Sequence, residues 1–224
     1  SLQNVHSFGS IWKRRVWTKF DKLLFSISIY GKIMAKSVTG SVYQLKITLK
    51  DAKPPIWRRI ELASDTKLDK CALIILKAMG WENAHLHQFI VGHTYYSMPD
   101  PDDMMDALDE RKYTLAQILP KEKAKCIFEY DFGDSWYHEL LVEKVTEPEP
   151  NIKYPRCMAG KMACPPEDCG GVWGYMNLVE ILHDPEHDEH ESYLEWLGLE
   201  SGEDFDPKEF SVEEVNERLL GVKR

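Results

Sequence analysis

The sequence contains no glycine-rich phosphate loop of the G-x-x-x-x-G-K-[ST] form and no G-x-G-x-x-G dinucleotide fingerprint. It also lacks a G-x-S-x-G nucleophile elbow and an H-E-x-x-H pair. Without a backbone cradle for phosphates or a strained serine turn, a familiar nucleotide hydrolase, dehydrogenase or serine hydrolase is disfavoured. Cysteine is sparse, five in 224 residues, and none of the five stands in the tight C-x2-C pairs of zinc ribbons and fingers. Long apolar runs are missing as well. Leu23 to Tyr30 follows a basic stretch, but eight residues cannot span a bilayer, and Gly31 to Lys36 offers no good small-residue cleavage site. The expected setting is the cytoplasm, with reduced thiols and no membrane partner.

Basic charge is scarce where it would count. The formal net charge is −9, yet residues 1–33 carry six bases (Lys13, Arg14, Arg15, Lys19, Lys22, Lys32) against Asp21 alone, leaving 22 bases against 36 acids over 34–224. Phosphate-backbone affinity comes largely from Lys and Arg, so nucleic acid is not favoured by this acidic body; a small molecule or a protein is the expected partner. The segment 1–40 reads as a basic N-terminal extension, and Met34, just ahead of the first patterned stretch, is a candidate native start. Residues 41–224 read as a single α+β domain, and the 43% hydrophobic content of the full chain is enough to build a core.

From Tyr43 to Leu49 apolar and polar residues alternate; Pro54-Pro55 turns the chain, and Ile56 to Leu62 alternates again, which predicts an antiparallel hairpin. Helical spacing then runs from Leu68 to Met79, with Ser64-Asp65-Thr66 as candidate caps and Gly80 as the stop. Strands are expected over His85 to Val91 and Thr94 to Ser97, followed by an acidic excursion from Asp100 to Asp103 and a short helix near 115–119. The strongest hairpin pairs Cys126 to Tyr130 with Trp136 to Val142 around Phe132-Gly133-Asp134-Ser135. Glu147 to Trp173 reads as one long loop. Helices are expected after it, the last one boxed by Ser211 and Glu214. Strands crowded early and helices late predict an antiparallel sheet covered by helices on one face, with a helical C-terminal part.

The long loop holds the sequence's least ordinary stretch, Cys157 to Gly171, with three cysteines, two prolines, three glycines and the pair Glu167-Asp168. The spacing Cys157-x6-Cys164-x4-Cys169 suits a zinc site if a fourth ligand comes from elsewhere, and His138 on the neighbouring hairpin is the first choice. Thiols packed beneath the loop, a disulfide, and a histidine held by a backbone carbonyl remain open beside it. Glu167 and Asp168 are read either as caps for a helix starting near Gly174 or, with Asp134 and His138, as candidate catalytic groups. His85 and His87, two apart in a strand, share one side and are candidate ligand-binding residues with Trp136 and Tyr175, or solvated strand-edge residues. His183, His187 and His190 lie in an acidic connector between helices.

Tyr130-Asp131-Phe132-Gly133-Asp134-Ser135-Trp136-Tyr137-His138, the run Cys164-Pro165-Pro166-Glu167-Asp168-Cys169-Gly170-Gly171-Val172-Trp173-Gly174-Tyr175, Glu195-Trp196-Leu197-Gly198 and Phe205-Asp206-Pro207 together resemble the plasmid pRiA4b ORF-3-like family. The resemblance covers about residues 41–220. It implies an α+β domain in a mobile-element or accessory setting, with the shared positions Gly133, Asp134, Trp136, His138, Pro165, Pro166, Glu167, Asp168, Gly170, Gly171 and Tyr175 forming one site or structural corner. It implies no reaction, and no serine recombinase pattern appears. Two functions follow as expectations: an accessory ligand- or partner-binding domain, or a metal-assisted hydrolase using Asp134, His138, Glu167 and Asp168.

Overall fold

The computed structural model describes residues 40–99 and 106–222. The basic stretch 1–40 (but for Gly40), the candidate start at Met34 and the acidic run Asp100 to Asp103 lie outside the described residues.

The predicted first hairpin forms from β1 (Val42–Leu49) and β2 (Trp57–Ala63), paired antiparallel. Tyr43, Leu45, Ile47 and Leu49 all point into the core, as the alternation requires. Helix α1 (Leu68–Met79) ends at Gly80, whose positive φ of 124 lets its N–H return to the Leu76 carbonyl at 2.8 Å. Its entry departs from expectation. Lys67 is the cap residue and no side chain caps the helix, because Thr66 turns its hydroxyl back to the Ala63 carbonyl.

Strands β3 (His87–Val91) and β4 (Thr94–Ser97) form the second hairpin; two-residue β5 (Leu108–Asp109) adds parallel to β4, a single turn Glu110–Lys112 follows, and α2 is Leu115–Ile118. Strands β6 (Lys125–Tyr130) and β7 (Trp136–Thr146) make the third hairpin, with Trp136, His138, Leu140 and Val142 on the buried face. The segment predicted to be all loop contains a strand, β8 (Arg156–Lys161), at the sheet edge beside β2. Small residues and a register shift at Arg59/Ile60 hide its alternation. Gly160 is small because a Cβ there would come within 2.4 Å of the Phe210 ring.

The eight strands form one sheet in the order β5-β4-β3-β6-β7-β1-β2-β8. Helices α3 (Gly171–Leu182), α4 (His190–Leu197) and α5 (Val212–Leu219) complete the chain. Helix α3 starts at Gly171, three residues before the position expected. The core is continuous on one face of the sheet, from Phe89 and Phe128 through Trp136 and Leu140 to Leu45 and Ile60. The other face carries charge, including Arg59 on Glu143 and Lys125 on Glu139. This is the expected α+β architecture. No helix among the described residues is long and apolar enough to cross a membrane.

Candidate functional site

The site is organised by Tyr130, the last residue of β6. Its hydroxyl accepts from the backbone N–H of Ala84 at 3.0 Å and of His85 at 3.3 Å, and donates to Glu167 Oε1 at 2.5 Å. Burial first, and then the Glu167 carboxylate, push the phenol's pKa well up, so it remains a donor. Glu167 also accepts from the Glu82 N–H, and Trp81 donates its indole N–H to the Pro165 carbonyl at 2.9 Å. The segment before β3 and the Pro-Pro-Glu-Asp loop are thereby both stitched to the β6–β7 hairpin.

Asp131 begins the hairpin turn with φ 57, and its Oδ1 accepts from the N–H groups of Gly133 (2.9 Å) and Asp134 (3.4 Å). Its Oδ2 is left facing His85 Nδ1 at 3.7 Å. On the other side of that ring, Asp168 Oδ1 lies 3.1 Å from Nε2. The three donor atoms fall within 4.8 Å of one another. Asp134 serves a different purpose: its carboxylate accepts the Gly170 N–H at 3.0 Å at the entry to α3. The acid at this helix entry is thus Asp134, whereas Glu167 is committed to Tyr130 and Asp168 to His85. Gly171 packs so close beneath the turn that a Cβ would stand 2.4 Å from the Asp134 carbonyl oxygen.

The expected zinc ligands Cys157, Cys164, Cys169 and His138 are not brought together. Cys157 sits on β8 at the sheet edge, with β1 and β2 between it and the β7 strand of His138. Asn216 of α5 clamps the Cys157 backbone there, accepting its N–H at 2.7 Å and donating to its carbonyl at 3.1 Å. Cys164 packs against Gly80 at the end of α1, and Cys169 lies near Asp134; burial pushes both thiols up, that of Cys169 to about 12. All five cysteines are unbridged. His138 is fully buried, edge-on to Trp81 with centroids 5.2 Å apart, and neither ring nitrogen has a hydrogen-bond partner. Burial lowers its pKa to about 4; the backbones of Phe128 and Trp136 pull the other way from outside hydrogen-bond geometry, and less strongly. Among the described residues, the group of three or more His, Cys, Asp or Glu side chains within metal-ligand reach is His85, Asp131 and Asp168.

Beside this cluster lies a cleft of about 850 Å³. His85, His87, Gln88, Ser97 and Glu129 give it polar groups, while Leu86, Met98 and Phe132, all exposed, give it an apolar rim. Among the described residues, no Lys or Arg lines it. His87 is held by the buried Glu110 carboxylate, with Nε2 at 3.1 and 3.2 Å from its two oxygens, and Gln88 donates to Glu129 at 2.6 Å. Of the four expected ligand-binding residues, His85 and His87 line the cleft. Trp136 and Tyr175 are buried in the core, and the indole N–H and the phenol oxygen have no partner. Asp131, Tyr130 and Glu110 did not stand out in the sequence. The pairing of β3 with β6 sets Tyr130 opposite His87, which places Asp131 beside the residues before His87, a neighbourhood that only the assembled sheet creates.

The family model described as plasmid pRiA4b ORF-3-like protein matches residues 41–214. The chain belongs to the plasmid pRiA4b ORF-3-like family. It is 33% identical over 183 residues to the "Uncharacterized protein y4hQ" of Sinorhizobium fredii, covering 81% of this chain and 92% of the relative. It is also similar to the crystal structure of "Protein of Unknown Function MM3350" from Methanosarcina mazei Go1, with a TM-score of 0.69 and 34% identity over 78% of this chain and 97% of that one. The family match takes in the hairpin turn, the Pro-Pro-Glu-Asp loop and the cleft, and it leaves the basic N-terminal stretch outside.

Proposed function

We propose that this pRiA4b ORF-3-like protein is an accessory binding domain whose cleft takes a small amphipathic molecule with a cationic or hydrogen-bond-donating head. The observation that carries this reading is the lining: exposed Leu86, Met98 and Phe132 around polar groups that include Glu129, with no Lys or Arg among the described residues that line it. A concave site with apolar walls and a few convergent polar groups is the usual form of a small-molecule site. Acceptors without Lys or Arg favour an amine over a carboxylate. The hydrolase built on Asp134, His138, Glu167 and Asp168 has less support. His138 is sealed in the core, and Asp134 and Glu167 are each spent on bonds that hold the fold.

Saturation-transfer NMR on the full chain with benzylamine and phenylacetate tests the reading. Benzylamine should receive saturation and phenylacetate should receive several-fold less, and Leu86→Lys, an exposed change at the rim, should abolish the benzylamine signal. Equal transfer to both probes, or a signal indifferent to Leu86→Lys, would reject it.

A further inference from the structure

We propose that His85, Asp131 and Asp168 form a site for a divalent first-row transition ion, with His85 and Asp168 as its protein ligands and Asp131 as the carboxylate that orients the imidazole. The proposal does not rest on an organic molecule occupying the cleft.

The three side chains come from separate segments, and each segment is fixed by bonds of its own. The His85 N–H is held by the Tyr130 hydroxyl, and the Asp131 N–H by the Leu86 carbonyl at 2.9 Å. Asp168, at φ 59, sits between Glu167, bonded to Tyr130, and Gly170, bonded to Asp134. The donors are therefore positioned without needing one another. Among the described residues Asp168 has no partner but His85, and its side chain is 67% exposed.

His85 Nε2 is itself buried and has no hydrogen-bond partner, because the nearby Asp168 oxygen lies off the direction in which a ring N–H would donate. A buried imidazole nitrogen left unmatched is costly, and an ion between Nε2 and the Asp168 carboxylate would match it. Asp131 Oδ2 faces the opposite nitrogen. At 3.7 Å this is an ion-pair contact and not a hydrogen bond; a small approach of the ring would let the carboxylate accept Nδ1–H, fix the tautomer and direct Nε2 to the ion. Donors on one ion at ordinary metal–ligand lengths stand about 3–4 Å apart, close to the Nε2 to Oδ1 separation of 3.1 Å. One imidazole with carboxylate oxygens suits Mn²⁺, Co²⁺ or Zn²⁺ better than the all-oxygen cages of Ca²⁺ or Mg²⁺, and the absence of thiolate argues against softer ions. Two neutralising carboxylates match the ion's charge. With only two protein ligands the remaining positions belong to water or to a molecule in the cleft that His85 lines.

Mn²⁺ titration of the full-length protein, purified without a histidine tag and stripped with chelator, tests this. The Mn²⁺ resonance in electron paramagnetic resonance should fall with close to one ion bound per chain, and Zn²⁺ should displace it. Asp168→Asn, chosen because asparagine tolerates a positive φ, and His85→Gln should each weaken Mn²⁺ binding at least tenfold while circular dichroism is unchanged. In NMR the amides of Gly133 and Asp168 should broaden first. The proposal is overturned by no Mn²⁺ or Zn²⁺ binding at millimolar concentration. It is equally overturned by binding that survives Asp168→Asn, which would place the ion elsewhere, such as the 183–191 connector.

Discussion

His138 shows how one buried residue ties this protein's stability to pH. Its ring packs against Trp81 and Phe128 with no polar partner, so it stays neutral in the folded chain down to a pKa of about 4, against an ordinary value near 6.5 when unfolded. Between those two values the unfolded chain binds a proton that the folded chain refuses. The stability linked to His138 is therefore complete above about pH 6.5 and is lost as pH falls toward 4, at up to about 1.4 kcal/mol per unit. His138→Phe should flatten the urea-midpoint profile across that window relative to wild type, and parallel profiles would show that the ring is not responsible. The same residue marks where sequence reasoning stopped. Its face on β7 was legible from the alternation with Trp136 and Leu140, and the cost of an unpartnered imidazole suggested a metal. A histidine in a core can instead give up its charge, and the identity of the residues above it belongs to the tertiary fold.

At the scale of elements, the hairpins and α1 were legible because periodicity and turn residues agree. Tyr43 to Leu49 alternates without a break, and Gly80 ends its helix with the positive φ that glycine supplies. Strand β8 was not, because part of its support comes from far away in the chain: the Asn216 side chain of α5 takes both backbone groups of Cys157. Asn216→Ala should cost about 1–2 kcal/mol, the loss of two hydrogen bonds to buried backbone, and amide exchange should rise first in 156–161. Exchange unchanged in that strand would contradict the clamp. Tyr130 plays the same part for the site. Tyr130→Phe removes the donor to Glu167 and the acceptor for two amides, a loss of about 1–3 kcal/mol. Limited proteolysis should then cut near 164–170 earlier than in wild type. Gly171→Ala sets a Cβ against the Asp134 carbonyl at a positive φ and should lower stability by a similar amount, read as a drop of several degrees in melting temperature.

Across the whole molecule, one sheet separates a core face from a charged face, and the site lies where three distant segments meet: the approach to β3, the β6–β7 turn and the loop before α3. The sequence marked all three, through the His85/His87 spacing, the Gly133-Asp134 turn and the Pro-Pro-Glu-Asp run, but in the turn it singled out Asp134 and not Asp131. It could not show that His85 would meet Asp168 while Cys157 would be carried to the opposite part of the sheet, because strand order is a property of the assembled fold. The proposed function requires that ligand bind in the cleft beside the His85 cluster. Chemical-shift mapping of the isotope-labelled chain with saturating benzylamine tests it most directly. The largest amide shifts should fall on Ala84 to Gln88 and Phe132 to Gly133. Shifts concentrated instead around the small apolar cavity of Ile56, Met162 and Val179, or no shifts at all, would contradict it.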